Sequence, residues 1–112
     1  DHPHPRAYGT FAKFMRAALD GKTVPVGEAV RKMTSLPARW FRLSDRGEVR
    51  PGAYADLVAL APATFRDRAT YTNPHQFSDG LAAVWVNGAL TYPPQDTTAP
   101  PAGRYIKITK NP

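Results

Sequence analysis

A chain of 112 residues, 42% of them apolar, has room for one modest hydrophobic core. It holds no cysteine, which excludes a disulfide framework or thiolate metal site and fits a reducing, cytoplasmic compartment; no run nears the roughly 20 apolar residues that span a bilayer. The formal net charge of +6 is carried by basic residues spread from Arg6 to Lys110, only Arg31 and Lys32 being adjacent, and interrupted by Asp and Glu, which argues for a solvated basic surface and against a nucleic-acid interface.

The opening Asp1-His2-Pro3-His4-Pro5 has neither an initiator Met nor a signal pattern and reads as a chain entered partway through. Beyond it, Phe11, Phe14, Met15, Ala18 and Leu19 fall on one face of a helix, with Thr10 as its N-cap and Gly21 as its stop. A second helix puts Val26, Ala29, Val30 and Met33 inward and Arg31 and Lys32 outward. Ser35 can cap a further short turn in which Pro37 gives up an N–H that the first turn leaves unpaired anyway. Trp40, Phe41 and Leu43 follow, and all these apolar residues are expected in the core.

The pattern changes at Asp45. Asp45-Arg46-Gly47 and Pro51-Gly52 are turn signals, the second suited to a type II turn. Short strands are expected over 48–50 and 56–60. Residues 62–80 show no clear periodicity, and a loop of that length in a compact domain is generally functional or packed on a neighbour. A strand over 82–86, an Asn87-Gly88 hairpin turn and a return strand over 89–92 come next, then a linker-like tract to Pro101 and a final edge strand over 105–108. Helices followed by antiparallel strands make an α+β pattern. Trp40, Phe41, Val84, Trp85 and Val86 offer more apolar surface than these few elements can cover among themselves, which again points to a missing remainder.

The residue chemistry is sparse. Two imidazoles spaced as His2 and His4 share one side of a strand and could chelate, but only Asp1 and His75 are evident further ligands, and catalytic zinc generally takes three from the protein. A loop-packing or solvent-exposed role is the better reading of that pair. Arg6, after the restraint of Pro5 and beside a helix start, suits a carboxylate, although on this ground alone an ordinary surface arginine is favoured. Ser35, Ser44 and Ser78 lack a nucleophile-elbow context, and Gly47, Gly52, Gly80 and Gly88 are isolated turn glycines. His75 could act as a base but reads better as a loop residue. Asp56 reads as a carboxylate that satisfies backbone N–H groups. No catalytic residue and no metal site emerges.

Three stretches together resemble one family. The segment His4-Pro5-Arg6-Ala7-Tyr8-Gly9-Thr10-Phe11 resembles the HPRxxGTF segment of the D-aminoacylases (N-acyl-D-amino-acid deacylases). Residues 46–58 resemble the PGxxADLV region near the C-terminal end of many members of the amidohydrolase superfamily. Pro62-Ala63-Thr64, Asp67-Arg68-Ala69-Thr70-Tyr71 and Pro74-His75-Gln76 resemble the PATxxDRATYxxPHQ segment of the D-aminoacylase branch. The likeness runs from residue 1 to about residue 91. Ala61 and Pro25 depart from it at an acidic and a capping position.

The resemblance implies a complete enzyme with a (β/α)8 barrel joined to a small β-sandwich, hydrolysing N-acyl-D-amino acids to a D-amino acid and a carboxylate. In such an enzyme zinc and the catalytic aspartate are held by residues upstream of Asp1. On this basis residues 1–44 are the last helices of the barrel and 45–112 the C-terminal share of the sandwich. The missing N-terminal part is then the chain's natural partner, and the chain alone is expected to be inactive. Residues 1–6 would lie at the rim of the barrel's C-terminal face, and the arginine matching Arg6 would grip the substrate α-carboxylate. The alternative is a non-catalytic α+β module that binds a partner through exposed apolar faces.

Overall fold

The computed structural model describes residues 2–95 and 100–107. The chain forms two compact units interleaved along the sequence. One runs from the start to Val30 and resumes over Leu60–Leu81; the other comprises Arg31–Ala59 and the described residues from Ala82 onward. No described helix is long and apolar enough to cross a membrane.

In the first unit, helix α1 spans Arg6–Leu19, with Pro5 in its cap position, five residues before the expected cap at Thr10. The cause is Pro5. Its backbone (φ −52°, ψ −27°) is already helical, and its carbonyl accepts the Tyr8 and Gly9 N–H groups at 3.1 Å. Thr10 therefore lies inside the helix, its hydroxyl donating back to the Arg6 carbonyl at 2.8 Å. The helix stops as expected at Gly21, where the Lys22 N–H reaches back to the Ala17 carbonyl at 2.8 Å.

The buried stripe of α1 is Gly9, Ala12, Met15 and Ala18, whereas Phe11, expected inside, is 69% exposed. Small side chains on that stripe admit residues 61–80 at close range: a Cβ on Gly9 would sit 2.9 Å from the Asp67 Cβ. That long stretch, without periodicity in sequence, is ordered by specific bonds. Ala61 N–H donates to the Gly80 carbonyl at 2.8 Å, Arg66 pairs with Asp79 as an isolated antiparallel bridge, and Ala69 and Pro74 are buried. Arg16 reaches out from α1 to the carbonyls of Pro62 (2.6 Å) and Phe65 (3.2 Å) while its other edge holds Asp20 at 2.8 Å. The Arg16 bond keeps the exposed Asp20 carboxyl below the ordinary carboxylate range. Arg16→Ala leaves the part-buried Phe65 carbonyl without this donor, and we expect it to cost about 1–2 kcal/mol of unfolding free energy by denaturant titration of the full-length protein.

Helix α2, Val26–Met33, matches its expected bounds and buries Ala29. Helix α3, Ser35–Trp40, begins with Thr34 in the cap position, so Ser35 is already inside the first turn. Its buried residue is Ala38; Trp40 (81% exposed) and Phe41 (55%) project outward, against the expectation that they join the core. Residues 48–50 form no strand. Glu48 is engaged in ion pairs with Arg39 (3.2 Å) and Arg50 (3.5 Å), and Arg50 also donates to the Ser44 carbonyl. The Pro51-Gly52 turn is closed from the Arg50 carbonyl to the Ala53 N–H at 3.2 Å.

Strands β1 (Leu57–Leu60), β2 (Leu81–Val86) and β3 (Ala89–Tyr92) form a sheet in that order. Strands β2 and β3 pair antiparallel through Trp85↔Leu90 and Val86↔Ala89, and the register shifts at Val84/Trp85. Asn87 (φ 50°) and Gly88 (φ 82°) both take positive φ, as the two-residue hairpin requires. Residues 105–107 are not in a strand; the last residue of that expected strand, Ile108, lies outside the described residues.

Candidate functional site

The start of α1 gathers most of the polar chemistry of the first unit. Arg6 is the first helical residue. Its backbone N–H donates to His4 Nδ1 at 3.1 Å, and the His4 ring meets the Tyr71 ring edge-on, with centroids 5.1 Å apart at 84°. Two residues further on, the Tyr8 hydroxyl and His75 Nδ1 are 3.1 Å apart; the Tyr8 ring also contacts those of His75 (5.4 Å) and Phe77 (5.8 Å). The close approach of Gly9 and Asp67 completes the contact.

The loop side of this cluster is held by its own bonds. Thr70 N–H donates to the Asn73 carbonyl (3.1 Å), and Asn73 N–H donates to the Thr70 hydroxyl (2.9 Å). The Gln76 amide donates to the carbonyls of Arg68 (2.8 Å) and Asn73 (2.9 Å). His4-to-Thr10 and Asp67-to-Gln76, two segments quoted separately in the sequence, thus form a single assembly.

Arg6 is exposed in the middle of it. Among the described residues its guanidinium has no hydrogen-bond or ion-pair partner, unlike Arg16, Arg39, Arg46, Arg50 and Arg68. A planar fork of donors at a helix N-terminus is suited to a carboxylate, which accepts two parallel hydrogen bonds and is favoured by the helix dipole. His2 is exposed, and His75 is committed to Tyr8 and not to an acid. Among the described residues no three His, Asp or Glu side chains converge as a metal group.

In the second unit Asp56 is a structural staple, as its position after a turn suggested, though its main partner is distant in sequence. One carboxylate oxygen accepts the Asn87 N–H at 2.8 Å; the other accepts from Arg46, whose guanidinium lies over the Tyr54 ring at 4.4 Å. Asn87 in turn donates to the Ala102 carbonyl at 2.8 Å, and Gly88 N–H to the Ala55 carbonyl at 2.9 Å. The Asn87 N–H foremost, opposed by burial and supported by Arg46, holds the Asp56 carboxyl below its ordinary value.

A depressed folded pKa means that this stabilisation is complete above the ordinary carboxylate pKa of about 4 and fades as pH falls through the lower folded value. Asp56→Ala is therefore expected to cost about 1–2 kcal/mol at pH 7, near the low end for charged hydrogen bonds because the carboxylate stays partly wetted. That difference should shrink below pH 4. An equal cost at pH 7 and pH 3 in denaturant titrations would rule out the ionic part of this account.

Tyr8, Tyr71, Phe77 and Arg16 were not singled out as site or scaffold residues in the sequence. Tyr8 and Tyr71 stood inside the quoted motifs, but nothing local showed that they meet histidines far along the chain. Arg16 and Phe77 carried no signal.

The family described as "Amidohydrolase family" matches residues 2–92. An N-acyl-D-aspartate deacylase of Alcaligenes xylosoxydans xylosoxydans is 40% identical over 106 residues, covering 94% of this chain and 21% of that protein. An N-acyl-D-glutamate deacylase of the same organism is 42% identical over 110 residues, covering 97% of this chain and 22% of its own length. Among solved structures, the N-acyl-D-glutamate deacylase from Bordetella bronchiseptica, complexed with zinc and a phosphonate inhibitor, superposes with a TM-score of 0.79 at 43% identity, over 84% of this chain and 20% of that one. A D-aminoacylase crystal structure superposes with a TM-score of 0.76 at 46% identity, over 80% of this chain and 19% of that one. The chain thus spans about a fifth of the length of the relatives it matches.

Proposed function

Because this chain belongs to the amidohydrolase family, we propose that it is the C-terminal portion of a zinc-dependent enzyme that deacylates N-acyl-D-amino acids, with Arg6 holding the substrate α-carboxylate. The observation that carries the assignment is the exposed Arg6 guanidinium, without a partner among the described residues, on a helix start that His4 and Tyr71 brace. Two relatives similar over nearly the whole of this chain are deacylases of N-acyl-D-aspartate and N-acyl-D-glutamate. Their shared substrate features are the amide and the α-carboxylate, and Arg6 suits the second.

The described residues do not themselves make a zinc site, since no group of three ligating side chains forms among them. We assign the metal, the catalytic aspartate and bond cleavage to the rest of the enzyme. This chain's contribution is orientation: a charge-assisted fork fixes the carboxylate end so that the acyl end is presented in one direction. In the same reading residues 1–44, which hold the three helices found among the described residues, are the tail of the barrel, and residues 45–112, with the sheet, belong to the small β-sandwich. The cysteine-free sequence supports a cytoplasmic setting.

The test is release of free D-amino acid from N-acetyl-D-amino acids by the zinc-loaded full-length enzyme, with the L-enantiomers as controls. Turnover confined to the L-series, or none in either, would sink the reading. The isolated 112 residues are expected to be inactive and to unfold without a cooperative transition. Apart from Met15 the buried core residues are alanines (Ala12, Ala18, Ala29, Ala38 and Ala69), while Trp40, Phe41 and Phe77 are exposed. Tryptophan fluorescence through a urea titration checks this; a sharp transition would favour a self-standing binding module.

A further inference from the structure

We propose that His4 is a positioning residue for Arg6, acting through its Nδ1 as the acceptor that fixes the first turn of α1. The inference rests on the reading of Arg6 as the carboxylate grip. The first N–H groups of a helix have no partner within it, and α1 has no side-chain bond from the residue in its cap position, which is Pro5. His4 meets the need twice: its carbonyl accepts the Ala7 N–H at 3.0 Å, and its ring Nδ1 accepts the Arg6 N–H at 3.1 Å. A nitrogen that accepts from a backbone N–H carries no proton itself, so the proton of the neutral ring sits on Nε2.

The ring is held edge-on by Tyr71, and its neighbour Tyr8 is tied to His75. Arg6 is thereby anchored at its own amide, one bond from the Cα where its side chain departs, while the guanidinium stays uncommitted. The geometry therefore predicts a defect in substrate capture and not a collapse of the fold.

Asn and Gln separate this role from general packing. The Asn side chain places a carbonyl oxygen where Nδ1 stood, whereas the Gln oxygen extends toward the position of Nε2. In the zinc-loaded full-length enzyme, assayed with whichever of N-acetyl-D-leucine, N-acetyl-D-aspartate and N-acetyl-D-glutamate is turned over fastest, His4→Gln should raise KM about tenfold with kcat within about twofold. His4→Asn should stay within about threefold of the unsubstituted enzyme in both. In an Arg6→Ala background the two His4 variants should give the same KM, because there is no guanidinium left to position.

Equal impairment of Asn and Gln variants, or a Gln defect that persists undiminished in the Arg6→Ala background, overturns the proposal. So does an impaired Arg6→Ala enzyme in which both His4 variants are silent, and that result leaves the Arg6 reading intact. If Arg6→Ala itself changes neither KM nor kcat, the Arg6 reading fails and carries this inference with it.

Discussion

Replacing Arg6 with Ala in the complete enzyme is expected to lower kcat/KM for N-acyl-D-amino acids by about 10²-fold or more. A bidentate bond between a guanidinium and a carboxylate is among the stronger polar contacts available, and losing roughly 3 kcal/mol of it corresponds to that factor. Arg6 has no competing partner among the described residues, so the contact with substrate is not offset by breaking one within the protein. Arg6→Lys should recover only part of the loss, since an ammonium restores the charge but not the planar fork.

The matching control is a substrate whose α-carboxylate is replaced by a neutral carboxamide. It should be poor for the unsubstituted enzyme and nearly indifferent to Arg6→Ala. If kcat/KM of the carboxylate substrate is unchanged by Arg6→Ala, Arg6 is a surface residue. The bland reading of the sequence would then have been the right one.

The second large effect is on stability. Gly80→Ala in the full-length protein is expected to cost more than about 3 kcal/mol of unfolding free energy. Gly80 has φ +84°, a conformation that side-chain-bearing residues rarely adopt, and a Cβ there would come within 2.5 Å of the Phe65 Cα. Most of the atoms it would meet are backbone, held in place by the Arg66–Asp79 bridge and by the Ala61-to-Gly80 bond, so the obstacle cannot rotate away.

Gly52 provides the internal comparison. Its φ is +89°, but nothing lies within 4 Å of an added Cβ. Gly52→Ala should therefore cost only the conformational part, about 1 kcal/mol. Denaturant midpoints for the two variants check this directly, and equal losses would show that the loop does not pack against Gly80 as described. Because residues 61–80 carry Tyr71, His75 and Phe77 to the start of α1, Gly80→Ala is also expected to weaken substrate capture at temperatures where the protein is still folded.

Much of the local architecture was legible in advance. The period of Val26, Ala29, Val30 and Met33 marks a helix because four residues on one face need no information from elsewhere. Asn87-Gly88 marks a hairpin because positive φ at both positions is a property of those two residues. The boundaries were less secure. Pro5 extended α1 past Thr10 because a proline with helical φ starts a helix as well as a capping hydroxyl does. Of the expected face of α1, Met15 and Ala18 are buried but Phe11 is not; Gly9 and Ala12 are buried instead, since close approach of a loop rewards small volume and not hydrophobicity.

The candidate site divides in the same way. Arg6 could be named from the sequence, because its neighbours Pro5 and the helix start lie within a few positions and because the motif around it resembles a known one. Its surroundings could not. The Tyr8–His75 contact joins residues 67 apart, and His4–Tyr71 and Gly9–Asp67 are similarly remote; Asp56 and Asn87 meet across 31.

What the sequence determined by itself was therefore the set of turns, the helical periods and the presence of an arginine near a helix start. These depend on covalent geometry and on side chains a few residues apart. The tertiary structure alone decided that Gly9 and Ala12, and not Phe11, complete the buried face of α1, why residues 61–80 are ordered, and that histidine and tyrosine rings brace the arginine. Those outcomes come from side-chain volumes and hydrogen-bond partners that meet only when distant segments pack, and no local pattern records the meeting.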